Sequence, residues 1–555
     1  MLNQTFSVKN RENQIQNILD KELDLIVIGG GITGAGITLD AQSRGAETLL
    51  LEMQDFAAGT SSRSTKLVHG GLRYLKQLEI GLVAEVGKER AIVYENGPHV
   101  TTPEWMLLPI IEGGTFGKFS TSVGLSVYDR LAGVRKTERR KMLSKEETLK
   151  REPLLKEQGL KGSGYYVEYR TDDARLTLEV LKKAYAYGAS LFNYMKVTDF
   201  IYKNNKLVGV KVTDRLTNQT YDLYAKKIVN ATGPWVDDLR EIDGSKKGKH
   251  LYWTKGIHIV IDQSKCPLSH AVYFDVEDGR MIFAIPRAGK TYIGTTDTEY
   301  HGDLEHPRLT QKDRDYLIEA VNQMFPKLHL SDHDIESGWA GIRPLIHEEG
   351  KSPSEISRKD EVFRSESGLI TIAGGKLTGY RKMAQKIVDL VTREIGEETG
   401  NSFKNCHTHR ISISGGDVGG VAQWDQFLKQ KEERGIELGL SQTETKQLTQ
   451  LYGSNIDTVY QYLESNASEA SKNKLNLAVY AMVKYAIDHE MTVRLSDFFI
   501  RRTGALFFNI DWVQKWKQEV AQFMAKELNW NNEQLGQNLN ELQVEISYSV
   551  DAAKE

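Results

Sequence analysis

Residues Leu23 to Glu52 read LDLIVIGGGITGAGITLDAQSRGAETLLLE. Leu23 to Ile28 is a short apolar run, the pattern of a strand buried on both faces. Gly29, Gly31 and Gly34 follow in G-x-G-x-x-G spacing. Thr33 to Arg44 is small and apolar enough to form a helix packed closely on that strand, and Thr48 to Leu51 gives a second strand. Glu52 ends it, 23 positions after Gly29. Gly29 permits the tight turn, Gly31 lets backbone approach a pyrophosphate, and Gly34 lets helix and strand pack tightly. The helix N-terminus offers unpaired N–H groups and a positive dipole end to phosphates. Glu52 can accept hydrogen bonds from a ribose. The stretch predicts a dinucleotide site. A plain glycine-rich turn in an ordinary α/β domain is the competing reading.

Working outward, 555 residues allow two to four domains. The net charge of −3 gives no global field for nucleic acid, so no nucleic-acid partner is expected. Only Cys266 and Cys406 are present, which argues against a disulfide framework and a cysteine metal site; no metal is expected. A reducing cytoplasm is the natural compartment. No run of about 18 apolar residues occurs, so nothing should span a bilayer, although peripheral membrane contact stays open. Residues 1–22 read as a polar leader with a short amphipathic helix near Ile15 to Leu19.

Asp55 to Tyr74 (DFAAGTSSRSTKLVHGGLRY) is rich in small hydroxyl residues with interleaved cations, which suits a loop lying along a polyphosphate and an anionic ligand. Leu75 to Asn96 reads as a helix stopped by Pro98. Phe116 to Lys141 combines apolar residues at roughly helical spacing with Arg130, Arg135, Lys136, Arg139, Arg140 and Lys141. Such a segment can lie in a membrane interface or be a core helix with a solvated end. Further strands are expected at Tyr165–Tyr169, Ala189–Tyr194, Leu207–Val212, Thr220–Leu223 and Lys227–Gly233. His250 to Asp297 is strand-rich with Gly and Asp turns and predicts an antiparallel sheet. Arg343 is read in a GIRP turn, and Gly368 to Arg381 as a strand, a Gly-Gly-Lys loop and a helix. Beyond a linker at Gly396 to Gly416 the pattern is helical. The expected domains are residues 23–395, interleaving the nucleotide-binding part with antiparallel segments near 76–165 and 245–345, and a helical domain at 400–555.

The first strand–helix–strand unit does not separate NAD from FAD. The spread of small-residue strand ends favours an extended FAD, with contacts from the Ser-rich loop, Val197, Ala231–Gly233 and Gly374–Thr378. IGGGITGAGITLDAQSRG, RSTKLVHGGLRYL, TKGIHIVI, GIRPL and GGKLTGYRKMA together resemble the FAD-dependent glycerol-3-phosphate dehydrogenases, within the D-amino-acid-oxidase-like flavoproteins. EMTVRLSDFFIRRTG resembles that family's helical domain. Thr38 and Gly379 depart from the family's usual alanine and threonine.

The resemblance implies an α/β fold. A Rossmann-like, glutathione-reductase-type FAD domain would carry an antiparallel-sheet substrate domain and a C-terminal all-α domain. It implies non-covalent FAD held by Gly29, Gly31, Gly34, Glu52, Ser61, Ser62, Ser64, Lys66, His69, Val197, Ala231, Gly233, Gly375, Lys376, Leu377 and Thr378. It further implies oxidation of sn-glycerol 3-phosphate to dihydroxyacetone phosphate, a hydride leaving C2 for flavin N5 while a base takes the hydroxyl proton. Arg73, Arg358 and Lys376 would clamp the phosphate. Tyr74 and His258 would line the substrate pocket, and Arg343 would polarise the reacting hydroxyl. His69 or His258 would accept the proton. Electrons would pass to membrane quinone, or to oxygen in an oxidase branch. The expected location is the inner face of the cell membrane, reached through residues 116–141. A homodimer is compatible with the sequence.

Overall fold

A computed structural model of the chain describes residues 5–69, 80–114, 138–348 and 360–553. The opening stretch folds as its pattern predicts, with strand Glu22–Ile28, helix Ile32–Arg44 and strand Thr48–Leu51. Leu25, Ile26, Val27 and Leu49 to Leu51 are buried on both faces. Each such side chain contributes roughly 1.5–3 kcal/mol of burial. Gly45 ends the helix in the left-handed region at φ 100°, where a Cβ would be penalised.

These strands sit centrally in an eight-stranded sheet, six of whose strands run in the order Glu361–Arg364, Ile370–Ala373, Thr220–Asn230, Glu22–Ile28, Thr48–Leu51, Ser190–Phe192, while Met195–Lys203 and Lys206–Asp214 branch from Thr220–Asn230. The four contacts from Ile370–Ala373 through to Ser190–Phe192 are parallel. Ile28 pairs with both Asn230 and Leu51, so the carboxyl ends of the central strands align. Helices Ile32–Arg44, Asp173–Ala186 and Tyr380–Thr399 pack together on this sheet. In such sheets ligands bind beyond the carboxyl ends of the strands.

The second sheet is ten-stranded. Its longest pairing, between Lys249–Asp262 and Ile335–Glu348, is antiparallel, and Lys290–Gly294, Met281–Arg287 and Ala271–Asp275 follow in order from Lys249–Asp262. The antiparallel expectation for 250–297 therefore holds, although Ala271–Asp275 also meets Thr101–Ile111 in parallel.

Several expectations change. Arg343 lies inside the strand Ile335–Glu348, not in a turn; Pro344 is tolerated there opposite Trp253. The strands expected at 220–223 and 227–233 are one strand, Thr220–Asn230, because Tyr224 to Lys226 bridge them without a break. The strand containing Tyr165–Tyr169 spans Leu160–Thr171 and belongs to the antiparallel sheet. The short amphipathic helix expected near Ile15 to Leu19 is present and starts earlier, at Arg11. Helix Arg11–Leu19 buries Ile15 and Ile18, and Arg11 Nε donates to Asp214 at 3.2 Å. The C-terminal helices share their core with the second sheet: Met106, Tyr292 and Trp339 pack with Phe498, Phe499 and Phe507. Among the described residues no helix is long and apolar enough to cross a membrane.

Candidate active site

The carboxyl ends of the parallel strands open into a cavity of about 590 Å³. Five strand exits supply most of the wall. Gly29, Gly31, Ile32 and Thr33 follow the first strand, Glu52 and Met53 the second, Met195 to Thr198 the third, Ala231 to Trp235 the fourth, and Gly374 to Leu377 the fifth. Thr60, Ser61 and Ser64 come from the Ser-rich loop.

The glycines divide by cause. Gly29 sits at φ 111°, and a Cβ there would lie 2.5 Å from the Ala231 carbonyl oxygen. A Cβ at Gly34 would overlap the Gly29 carbonyl. Gly29 is required by its positive φ and the adjacent strand exit, Gly34 by the packing of the helix on the first strand. Gly31 is different. It is extended, at φ −78° and ψ −179°, and a Cβ would meet only Ser61 Oγ, at 3.0 Å, and Ser61 Cβ. The fold tolerates a side chain at 31; close approach by a ligand backbone does not. The helix N-terminus behind it and its dipole favour an anion there. Ser61 Oγ accepts from Ile32 N at 2.9 Å.

Glu52 lies beside the glycine turn. Its carboxylate accepts from Gly30 N at 2.6 Å and Gln54 N at 2.8 Å. Burial nevertheless pushes its pKa up, the two backbone donors opposing this. It is thus fixed in orientation where a ribose would meet it. Met53, Met195 and Trp235 supply apolar walls. A cradle of glycines, a helix N-terminus, an oriented carboxylate and apolar walls fits a dinucleotide such as FAD.

Of the residues expected at the cofactor, Gly29, Gly31, Glu52, Ser61, Ser64, Val197, Ala231, Gly233, Gly375, Lys376 and Leu377 line this cavity. Gly34 acts one layer behind. Ser62 is buried beneath the loop. Lys66 turns away: its ammonium bonds Asp173 at 2.5 Å and the Ser62 carbonyl at 2.9 Å. That pair anchors the Ser-rich loop, since Asp173 also accepts from Ser64 N and Oγ. Thr378 Oγ1 donates to the His69 carbonyl at 3.1 Å, joining two distant loops.

His69 is neutral at pH 7, because burial first, then Lys376 and Arg90, push its pKa down to about 4. His258 is 1% exposed, stacked on Trp339 at 4.7 Å, with Nε2 3.1 Å from Thr65 Oγ1. Burial, then Arg343 and Lys66, hold its pKa well below the ordinary value. It supports the Ser-rich loop from beneath, together with Trp339 Nε1, which donates to the Ser64 carbonyl at 3.2 Å. Arg343 keeps its side chain 28% exposed. It donates to the Thr296 carbonyl at 2.8 Å, Thr295 Oγ1 at 2.9 Å and Asp297 at 3.2 Å. Arg73, Tyr74, Arg358 and the segment 116–137 lie outside the described residues.

Sequence reasoning missed Met53, Met195, Trp235 and Asp238, all of which line the cavity. For Met53, Met195 and Trp235 the signal available was a position shortly after a parallel strand; Asp238, inside the helix Val236–Ile242, carried none.

This arrangement defines a flavin-binding oxidoreductase fold. The family model for FAD dependent oxidoreductases matches residues 24–381, and that for the C-terminal domain of alpha-glycerophosphate oxidase matches 406–535. The aerobic glycerol-3-phosphate dehydrogenase of Bacillus subtilis (strain 168) is 61% identical over 98% of both chains. That of Staphylococcus aureus (strain USA300) is 59% identical over 95% of both. The crystal structure of glycerol-3-phosphate dehydrogenase from Bacillus halodurans, complexed with FAD, superposes with a TM-score of 0.86 at 51% identity, covering 99% of each chain. The chain belongs to the FAD-dependent aerobic glycerol-3-phosphate dehydrogenase family. An L-alpha-glycerophosphate oxidase from Mycoplasma pneumoniae, 17% identical with a TM-score of 0.56 over 69% of this chain and 96% of that one, shares the fold.

Proposed function

We propose that the chain oxidises sn-glycerol 3-phosphate to dihydroxyacetone phosphate and delivers the electrons to membrane quinone. The identity with named glycerol-3-phosphate dehydrogenases along nearly the whole chain carries this reading. FAD, when bound, supplies the acceptor for the hydride leaving C2.

The chain's own residues supply the rest. Lys376, at the cavity wall, offers its ammonium to the substrate phosphate, with Arg73 and Arg358 as further cations. Arg343, braced by Thr295, Thr296 and Asp297, keeps a rigid guanidinium for the hydroxyl that becomes an alkoxide. His69 takes the hydroxyl proton. It has the better claim over His258, whose ring is stacked on Trp339 and whose Nε2 is engaged with Thr65. An anionic substrate beside Lys376 offsets the positive field on His69 and draws its pKa back toward neutrality, where a base works best.

Quinone as acceptor places the enzyme in the cytoplasm at the inner face of the cell membrane, docked through the basic residues of 116–141. Oxygen is the second reading, favoured by the oxidase-named C-terminal family match. Turnover of glycerol 3-phosphate under air, with and without a soluble quinone, tests the choice. Stoichiometric quinone reduction with little peroxide supports the dehydrogenase. Peroxide formed one-for-one with substrate, unaffected by quinone, refutes it.

A further inference from the structure

The turn Asp497–Arg502 belongs to the C-terminal helices and is wholly buried: Phe498, Phe499 and Ile500 pack with the second sheet, while Asp497, Arg501 and Arg502 meet the nucleotide-binding part. Its hydrogen bonding is π-helical, a local rarity that accompanies functional positions. Two cavity-lining segments converge on it.

The first is the loop that leaves strand Thr48–Leu51. Glu52 and Met53 line the cavity, and Asp55 lies two residues beyond them. Arg501 Nε and Arg502 Nη1 both donate to Asp55 Oδ2, and Arg502 Nη2 donates to Oδ1 at 2.9 Å. Burial alone would raise Asp55; Arg502 and Arg501 outweigh it and hold the pKa down to about 2.

The second is the link from Ser190–Phe192 to Met195–Lys203. Met195, Lys196 and Val197 line the cavity. Just before them, Asn193 Nδ2 donates to Asp55 Oδ1 and to the Met491 carbonyl, both at 3.0 Å. Tyr194 O–H donates to Asp497 Oδ1 at 2.6 Å. Tyr194 holds φ 57°, the left-handed region, which costs a bulky residue about 1 kcal/mol or more and persists only where the surroundings fix it. The two segments also lock to each other, Tyr194 N to the Gln54 carbonyl and Met195 N to the Glu52 carbonyl, both at 2.7 Å.

Asp497 in turn accepts from Arg501 Nη2 at 2.7 Å and from the Val493 and Arg494 N–H groups at 2.9 Å. The two carboxylates and two guanidiniums balance in charge. Desolvation offsets most of the attraction in such a buried set, so net stability alone is a weak reason for it. What it does provide is geometry: two separate strand exits are tied to one rigid turn.

We propose that the Asp497–Arg502 turn positions the AMP half of the FAD site. Arg501 acts through Asp55 on the Glu52 loop, and Tyr194, through Asp497, on Met195–Val197. Both are positioning residues. The C-terminal helices are thereby part of the cofactor site, not an independent module. This rests on the FAD assignment but not on the substrate.

The test uses the full chain, stripped of flavin and titrated with FAD, as wild type, Arg501→Gln, Arg501→Lys and Tyr194→Phe. Arg501→Gln should raise the FAD Kd about tenfold or more, Tyr194→Phe about threefold, and Arg501→Lys should fall between wild type and Arg501→Gln. The FAD-induced rise in melting temperature should shrink in step, while KM for glycerol 3-phosphate at saturating FAD stays unchanged. A purely structural network would lower the melting of flavin-free and FAD-loaded protein equally and leave Kd alone; that result overturns the proposal. Should Arg501→Gln fail to fold, Tyr194→Phe removes one hydroxyl only, and an unchanged FAD Kd in it is equally decisive. A wild-type chain that binds FAD normally but does not turn over glycerol 3-phosphate would count against the substrate reading alone.

Discussion

Gly31→Ala separates a cofactor site from a merely glycine-rich turn. The backbone at 31 is extended, so alanine brings no dihedral strain. Its Cβ would lie 3.0 Å from Ser61 Oγ, a side-chain atom that can rotate away. Rotation loses the bond from Ile32 N, at about 0.5–1.5 kcal/mol, and alanine is a poorer N-cap than glycine by a similar amount. The flavin-free chain should therefore lose only about 1–2 kcal/mol and stay folded. The cofactor pays more. A methyl between the pyrophosphate and the helix N-terminus removes one or two charge-assisted hydrogen bonds, each worth about 1.5–3 kcal/mol. A loss of about 3 kcal/mol is on the order of a hundredfold in Kd. Gly34→Ala gives the contrast: its Cβ collides with the Gly29 carbonyl, an overpacking cost of about 1–3 kcal/mol that appears without any ligand. Thermal melts of the flavin-free chains and fluorescence titration with FAD measure both quantities. If Gly31→Ala binds FAD as wild type does, the pyrophosphate is not at this turn and the account of the cavity fails.

Arg343→Lys keeps the charge but loses the fork to Thr295, Thr296 and Asp297; kcat should fall about 10²–10³-fold with FAD content unchanged, measured by steady-state turnover per bound flavin. Acid should destabilise the fold between pH 4.5 and 2. Asp55, bonded to Arg501 and Arg502, and Glu490, a buried carboxylate paired with Arg175 and Lys182, are both held at about 2 by those cations, below their ordinary 3.8 and 4.5, so the unfolded chain binds more protons in that window. Their contributions, about 2 and about 3 kcal/mol, are complete above pH 4.5 and lost as pH falls through 2; denaturant melts from pH 6 to 3 should show the decline, and Asp55→Asn should flatten it. Glutamate at Arg135, Lys136, Arg139 and Arg140 should release the protein from anionic vesicles in a sedimentation assay; unchanged partitioning would remove 116–141 as the membrane-facing segment.

The nucleotide half was legible because its signals are local. Leu23 to Glu52 carries strand, turn, helix and acid in one run, and each glycine's cause can be read from spacing. Gly374 to Thr378 was legible for the same reason, as a strand exit into a helix. Arg343 was misplaced in a turn because Gly341 and Pro344 are turn residues by habit. Here the partner strand Lys249–Asp262 overrides them, pairing Gly341 with Gly256 and Pro344 with Trp253. Lys66 looked like a phosphate ligand because its partner, Asp173, is 107 residues away. The Arg501–Asp55 bond, with a separation of 446 residues, leaves no trace in any window of sequence. DFFIRR reads as an ordinary helix end until Asp55, Asn193 and Tyr194 are folded against it.

The central claim is that glycerol 3-phosphate reduces the flavin of an FAD held in the cavity that Gly31, Glu52 and Lys376 line. Anaerobic addition of glycerol 3-phosphate to the FAD-loaded chain, followed by absorbance, measures this directly. The account predicts bleaching of the flavin band that saturates with substrate and needs far more substrate once Lys376 is replaced by Met. A flavin band that stays oxidised at saturating glycerol 3-phosphate would contradict it.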